Sequence, residues 1–439
     1  MSGIYRTVTE YGRLPRSEFS PRLWRQLQRF DEGQAITAGA TIFDWGFCSH
    51  VRARNYVGVI RVPGLTIELL PKTDGTSNSD LRPGEVHRAQ RNLLYMLGVA
   101  RNLPVRHRDL ADLSHKKTPL LEALIAVFAD RLLLELGRGL ERSYVYQEAD
   151  TPFVRGKLLL AEQVRRNAAH KERVFVGYDN FEANTPMNRI LKAGCNRLVH
   201  LTRVPWTERC LRECLHHFGE VANREVHPED FDGVFLNRNT KRFEPLLGFC
   251  RLLFSGSTPA PSAGDLETFS LLFPMDQVFE SFIGEFVRRY AHQLGFEKAQ
   301  VHLQARQRRL WLMRREDGTG AFRLKPDIVI DGPTTGRPRI IIDTKWKRLV
   351  SDEEDSKNSV TQSDMYQLYA YATRYNCSDN VLLFPKVPGV TPKTYALDGV
   401  AEMKARIAFV DVGRDLFRET EAFKGELSEI LGATARSVR

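Results

Sequence analysis

The sequence has 439 residues, 42% of them hydrophobic and 27% charged, enough for two or three globular domains with cores of their own. Lysine and arginine outnumber aspartate and glutamate by 64 to 54, and the net charge of +10 favours a polyanionic partner while saying nothing of the fold. No segment approaches the apolar length of a transmembrane helix and no signal-peptide core opens the chain, which argues against a membrane protein and predicts a cytoplasmic one.

Taken in order, residues 1–35 are polar, with a short helix over Leu23–Phe30. Short β runs follow from Ile36 to Leu70. Within them, Val57–Val62 and Leu65–Leu70 flank Pro63-Gly64, which predicts a hairpin. Thr73 to Gly84 is rich in Gly, Ser and Asp and reads as a linker or long loop. Helical periodicity begins near Val86 and runs through Leu93-Leu94-Tyr95-Met96-Leu97, and a longer apolar helix spans roughly Pro119 to Arg142. The loop between them carries Arg101, Arg106, Arg108, Lys116 and Lys117. A strand is expected at Val174–Val176, and Asn184-Thr185-Pro186 supplies cap-type residues for a helix reaching Leu201. Further helices are expected at about Thr207–Phe218 and Thr240–Phe254.

Ser255 to Gly264 (SGSTPAPSAG) is the clearest break in composition. Beyond it the pattern alternates: helix 275–293, strands within 298–345, helix 360–376, strands 381–387 and 406–412, helix 414–431. The expected fold is therefore a multidomain α/β protein. A β-rich N-terminal module (1–85) precedes a mixed, mainly helical middle region (86–264) and a C-terminal α/β core (265–439). The six cysteines have no framework or zinc spacing, so Cys210 and Cys214 and the other four are expected to be free, buried thiols of a reducing compartment. Asp352–Asp355 reads as an acidic loop rather than a second metal site.

The chemistry concentrates between Ala321 and Arg348. Ile328–Ile330 and Ile340–Ile342 read as adjacent buried strands, yet Asp327 opens the first and Asp343 ends the second. Burying unpaired carboxylates costs several kcal/mol, so a cation is the natural reason for them. Two aspartates and the carbonyl between Asp343 and Lys345 suit Mg²⁺ (Mn²⁺ as the alternative), with water and phosphate completing its shell. Lys345 beside such a metal could orient or deprotonate a water, or stabilise charge on phosphorus. Pro326-Asp327 followed by Asp343-Thr344-Lys345 resembles the PD-(D/E)xK nuclease signature. Upstream, Glu280 lies on an amphipathic helix as a further metal-side acid. Downstream, Gln367 to Tyr371 matches the QxxxY helix of RecB-like nucleases. From Arg306 to Arg348 there are twelve basic residues and five acidic ones, so a phosphate backbone is expected to lie there. Arg308, Arg309, Arg314, Arg315 and Lys325 are the expected phosphate contacts, with Tyr371 placed among the DNA-contacting residues.

With these residues placed, the sequence resembles McrC, the nuclease subunit of McrBC-type modification-dependent restriction systems. The likeness rests on LLYML at 93–97, VRGKL at 154–158, YDNFEANTPMNRI at 178–190 and the nuclease motifs. It implies that Asp327 and Asp343 ligate the metal, with Lys345 as the catalytic lysine. Glu280 (metal side) and Gln367 (catalytic) carry over from motif positions that drift more. It also implies a partner, an McrB-like AAA+ GTPase that recognises modified double-stranded DNA of the 5-methylcytosine type. GTP enters only through that partner, since this chain has no G-x-x-x-x-G-K-[ST] loop. Arg106 and Arg108 are the residues expected to reach into the GTPase. Three readings stand in order: endonuclease subunit, non-catalytic adaptor that activates the GTPase and clamps DNA, and stand-alone RecB-like nuclease.

Overall fold

Pro63-Gly64 turns the chain as its residue types require, with Gly64 at φ +80°, and joins strands Tyr56–Val62 and Leu65–Leu70 into the expected hairpin. The computed structural model describes residues 4–72, 82–100, 105, 118–255, 268–332, 337–347, 349, 360–399 and 402–432. They form a mixed α/β protein with several sheets, and among them no helix is long and apolar enough to cross a membrane. The chain divides into two units, one made of Met1–Leu121 with Gly256–Arg439 and the other of Glu122–Ser255. The second unit ends at Ser255, where the compositional break begins. The expectations for Arg101, Arg106, Arg108, Lys116, Lys117 and Asp352–Asp355 lie outside the described residues.

In the first unit the hairpin grows into a four-stranded sheet ordered Ile4–Thr9, Leu65–Leu70, Tyr56–Val62, Phe269–Pro274. Ile4–Thr9, within the stretch expected to be merely polar, pairs in parallel with Leu65–Leu70. Its β-branched and aromatic residues (IYRTVT) suit a strand, but its partner lies about sixty residues away. Helix Pro21–Ala38 is capped by Ser20, whose hydroxyl accepts from Leu23 N at 3.3 Å, and is longer than expected. Leu14, Leu27, Phe43, Val51, Ile60 and Ile67 are core residues shared by this helix and the N-terminal strands.

Phe269–Pro274, a short apolar run for which no strand is expected above, is a strand as well. It lies antiparallel to Tyr56–Val62 and crosses it where Gly58 takes φ +130°. A Cβ on Gly58 would stand 2.0 Å from the Leu271 carbonyl oxygen, so only glycine allows the pairing. Pro274 ends the strand and caps helix Met275–Arg289, whose first amide donates to Asn55 O at 2.8 Å. The N-terminal sheet therefore fixes the start of the helix that bears Glu280.

The largest sheet has six strands in the order Val301–Leu303, Ile328–Asp331, Pro338–Thr344, Asp379–Pro385, Lys404–Val410, Lys393–Ala396. The first three are antiparallel to one another, the third, fourth and fifth run parallel, and Lys393–Ala396 closes the edge antiparallel. The central strands are apolar throughout because both faces are covered. Val329, Ile341, Leu382 and Ile407 pack with Leu368, Tyr371 and Tyr375 of helix Gln362–Tyr375. On helix Met275–Arg289, Gly284 faces Leu303 and Ile328, 3.0 and 3.8 Å from where its Cβ would be. Helix Pro83–Ala100 belongs to this unit too. Asn92, 1% exposed, donates to Arg414 O at 2.6 Å and accepts from Leu416 N at 3.2 Å, and Tyr95 meets Phe282 edge-on.

The second unit holds helices Pro186–Leu201, Pro205–His217 and Glu244–Ser255 and a sheet ordered Ser143–Thr151, Val174–Glu182, Lys157–Leu158. Its family-like segments have structural causes. The Thr185 hydroxyl caps its helix by accepting from Asn188 N at 3.2 Å, and the buried Asn188 side chain donates to Glu141 O and Ala183 O, both at 2.8 Å. Gly156 at φ +67° lets Arg155 lie over the Tyr178 ring, 3.3 Å from its centroid. All six cysteines are free and five are buried.

Two glycines separate backbone strain from helix propensity. Gly58→Ala is expected to destabilise the first unit by more than about 1 kcal/mol, because its φ and the Leu271 carbonyl both oppose a side chain. Gly33→Ala, inside helix Pro21–Ala38 with nothing within 4 Å of the added carbon, should stabilise by about 0.5–1 kcal/mol. Thermal unfolding of the full-length variants checks both signs.

Candidate active site

Register brings the two aspartates together. Ile328 pairs with Ile342, so the next residues, Asp327 and Asp343, meet where the strands end. Side chains alternate along a strand, so these carboxylates continue the rows of Val329 and Ile341 on the face covered by helix Gln362–Tyr375. Asp327 Oδ2 accepts from the backbone N and the hydroxyl of Thr344, each at 2.7 Å, which ties the two strand ends together. Asp343 is 2% exposed. Lys345 Nζ forms an ion pair with Asp343 Oδ2 at 2.7 Å.

Lys345 is held from both ends. Its backbone N donates to Leu383 O at 2.9 Å and its ammonium donates to Gln367 Oε1 at 2.9 Å. Gln367 in turn donates to the Tyr371 hydroxyl at 2.7 Å. Helix Gln362–Tyr375 starts with a capping box of Thr361 and Asp364, and Asp364 takes Lys347 at 2.9 Å with Lys345 at 4.0 Å. The expected trio and Gln367 are thus adjacent. Tyr371 differs from expectation: at 2% exposure it has no surface to offer DNA, and its hydroxyl orients Gln367 instead.

Glu280 reaches the site through Gln304, whose side chain donates to Glu280 Oε1 at 3.0 Å while its backbone N donates to Asp327 O at 2.7 Å. Gln304 and Ala305 adopt φ +51° and +44°, a left-handed pair that costs about 1–3 kcal/mol per residue. Glu280 and Asp327 line a cleft of about 310 Å³ together with Gln304, His302, Arg288 and Arg306.

Charge in this cleft is out of balance. Burial first, then the neighbouring charges of Asp343 and Glu280, raise the Asp327 pKa to about 8 against the pull of Thr344. Burial also raises Asp343, opposed by Lys345 and reinforced by Asp364 and Glu280. For Lys345, burial works against the ammonium, but Asp343 outweighs it and lifts the pKa above the ordinary lysine value. The lysine is therefore a fixed positive charge. A divalent cation would supply the charge that is missing, and the all-oxygen donor set of Asp327, Asp343 and nearby Glu280 fits a hard ion. Among the described residues no three His, Cys, Asp or Glu side chains form a ready metal cluster. A cation held by Asp327 and Asp343 would need water or phosphate to complete its shell.

The basic residues divide. Arg308 is committed to Asp331 at 2.6 Å, an acid it shares with His302 at 2.8 Å, so it is not a spare phosphate contact. Arg309, Arg314, Arg315 and Lys325 are exposed. Sequence reasoning missed Gln304, the Thr344 side chain, Asp364 and Glu10. Of these, Thr361-x-x-Asp364 carried a visible capping signal. Glu10, 1% exposed, accepts from Trp346 Nε1 at 2.7 and 2.9 Å across 336 residues of sequence, a link that no local pattern records.

The raised Asp327 pKa has a consequence for stability. Between the unfolded value near 4 and the folded value of about 8, the folded state binds more protons than the unfolded one, so stability falls as pH rises through that window. In a chelator, the melting temperature should drop from pH 5 to pH 8, and Asp327→Asn should flatten that decline. A wild-type profile flat over this range would count against the charge excess.

Comparison with known proteins follows the same lines. A type IV methyl-directed restriction enzyme, EcoKMcrBC of Escherichia coli K12, is 20% identical over 320 residues, covering 70% of this chain and 89% of that protein. The refined half-complex from a tetradecameric assembly of Thermococcus gammatolerans McrB AAA+ hexamers with bound McrC contains a chain of the same fold. That match has a TM-score of 0.66 at 19% identity and covers 97% of this chain and 100% of that one. The cryo-EM structure of the Thermococcus gammatolerans McrBC complex matches with a TM-score of 0.51 at 21% identity, over 66% of this chain and 88% of that one. The McrC-type resemblance read at 93–97, 154–158 and 178–190 is borne out. Because residues 51–385 match its family description, the chain belongs to the family of McrBC 5-methylcytosine restriction system components.

Proposed function

We propose that this chain is the DNA-cleaving subunit of a modification-dependent restriction complex, a PD-(D/E)xK-type, Mg²⁺-dependent endonuclease. The observation that carries the reading is the meeting of Asp327, Asp343 and Lys345 at one end of a buried strand pair, with Gln367 on the lysine. Asp327 and Asp343 would hold the cation, with Glu280 at the rim. A bound Mg²⁺ supplies Lewis acidity toward a phosphate oxygen and a water of lowered pKa. Lys345, kept charged by Asp343, offsets negative charge that develops on phosphorus, rather than accepting a proton. Gln367 and Tyr371 fix the direction of its ammonium, and Thr344 fixes Asp327. Arg309, Arg314, Arg315 and Lys325 are exposed and suit a phosphate backbone without reading bases.

By the same proposal, the partner is an McrB-like AAA+ GTPase, as in the McrB hexamers with bound McrC, and the substrate is double-stranded DNA carrying 5-methylcytosine-type modification. The GTPase supplies nucleotide hydrolysis, for which this chain has no phosphate loop. Five buried free thiols are consistent with work in a reducing cytoplasm.

Asp343→Asn and Lys345→Ala should each lower DNA cleavage by at least about 10²-fold while leaving partner binding in place. Wild-type cleavage by either variant, with stimulated GTPase intact, would leave the adaptor reading in its place. Neutralising Arg309, Arg314, Arg315 and Lys325 should weaken binding uniformly across sequences. It should also flatten the log–log salt dependence by about 0.9 for each phosphate that is no longer neutralised. A changed sequence preference at constant slope would remove these residues from the backbone track.

A further inference from the structure

Strands Leu310–Arg314 and Gly320–Leu324 form a two-stranded sheet of their own. Its base is anchored, since Leu310 and Leu324 pack into the main-sheet core, Arg374 Nε donates to Trp311 O at 3.0 Å and the Tyr375 hydroxyl donates to Arg308 O at 2.8 Å. Beyond the base it exposes apolar groups. Leu312 is 37% exposed, Met313 58% and Phe322 72%. Water contact on this scale, concentrated on one short ribbon, marks an interaction surface rather than scattered surface hydrophobes.

The backbone is shaped to present Phe322. Trp311 pairs with Arg323 and Met313 with Ala321, and between those pairs Phe322 sits at φ +56°. An aromatic residue avoids this conformation, and with most of its ring in solvent no packing offsets the strain. The charge around it points to the occupant. Arg309, Arg314, Arg315 and Lys325 are exposed beside it, while residues 306–325 contain only Glu316 and Asp317 as acids, both in the turn. Asp317 is occupied within that turn by Thr319, accepting from its hydroxyl at 2.6 Å. The second strand then runs through Lys325-Pro326 into Asp327, so Phe322 is at most about 17 Å from the proposed metal ligand, roughly five base steps.

We propose that Phe322 is a wedge that enters the base stack of duplex DNA beside the bond to be cut. The flanking arginines grip phosphates on either side. Duplex DNA, the substrate of the proposed function, combines a dense anionic exterior with apolar, stackable faces inside, and side-chain wedges of this kind partly unstack a base step and kink the helix. The inference rests on the nuclease reading for its position but is read out without cleavage.

The test uses the full-length chain, with Ca²⁺ in place of Mg²⁺, and a set of methylated duplexes carrying 2-aminopurine at successive positions. Wild-type protein should raise the fluorescence of 2-aminopurine at a step within about five base pairs of the cut. Phe322→Ala should abolish that rise and weaken binding about tenfold, with an unchanged salt slope because the arginines still neutralise the same phosphates. Phe322→Leu should retain most of both. Phe322→Gly should melt at a higher temperature than wild type and still lose the signal, since it relieves φ without supplying a wedge. Lys345→Ala should keep the signal, so failure of the nuclease reading and failure of the wedge are separable. The proposal is overturned by tight wild-type binding with no fluorescence change at any position, or by unchanged affinity in Phe322→Ala. A Phe322→Ala variant that instead alters self-association or GTPase binding, with the DNA signal intact, would likewise overturn it and give the surface to protein.

Discussion

Everything in the first unit answers to the repulsion between two carboxylates at one end of a desolvated strand pair. Asp327 and Asp343 are opposed by register, and the Ile-rich strands that carry them allow no retreat into solvent. The fold tolerates this through a small set of fixed partners: the Thr344 amide and hydroxyl on one acid and the Lys345 ammonium beside the other. Those partners are themselves immobilised, Thr344 by its strand and Lys345 by Gln367 and Leu383. Charge that the protein does not neutralise is left facing the cleft, where a cation and a phosphodiester would meet it.

The N-terminal strands take part in this arrangement directly. They bind Phe269–Pro274 as a fourth strand, and that strand sets the start of the Glu280 helix. Glu10 holds Trp346, the residue after Lys345, and Trp346 packs against Phe279 at 5.1 Å between ring centroids. The β-rich module is therefore part of the scaffold on which the proposed catalytic strand end and the Glu280 helix are mounted. Its sequence shows no motif because its contribution is geometric.

What could be read in advance follows from the range of each interaction. The PD and DxK strands were legible because a buried strand with an acid at its tip contradicts hydrophobic burial within a few residues. The 57–70 hairpin and the helix after Thr185 were legible through turn and cap residues. By contrast, Ile4–Thr9 pairs with residues about sixty positions away and Phe269–Pro274 with residues over two hundred away, so the partners that make them strands are absent from any local window. Tyr371 failed as a DNA contact because helical spacing placed it correctly beside Gln367 but said nothing of how deeply that face is buried. Gln304 could not have been found, since a left-handed link has no residue preference that glutamine displays.

The discontinuity of the first unit also governs when the candidate site can form. During synthesis, Tyr56–Val62 leaves the ribosome with one edge unpaired, and its partner Phe269–Pro274 follows more than two hundred residues later. At about 5–20 residues per second the gap lasts roughly ten to forty seconds, an interval in which a bare apolar edge invites pairing with other nascent chains. The Asp343 strand comes later still, and its parallel neighbour Asp379–Pro385 follows it, itself paired with the later strand Lys404–Val410. A polypeptide stalled or cleaved before residue 379 lacks the strand that fixes Lys345 through Leu383. Incomplete translation products therefore cannot assemble the arrangement of Asp327, Asp343 and Lys345, and the order of strands along the chain makes the candidate site one of the last features to form.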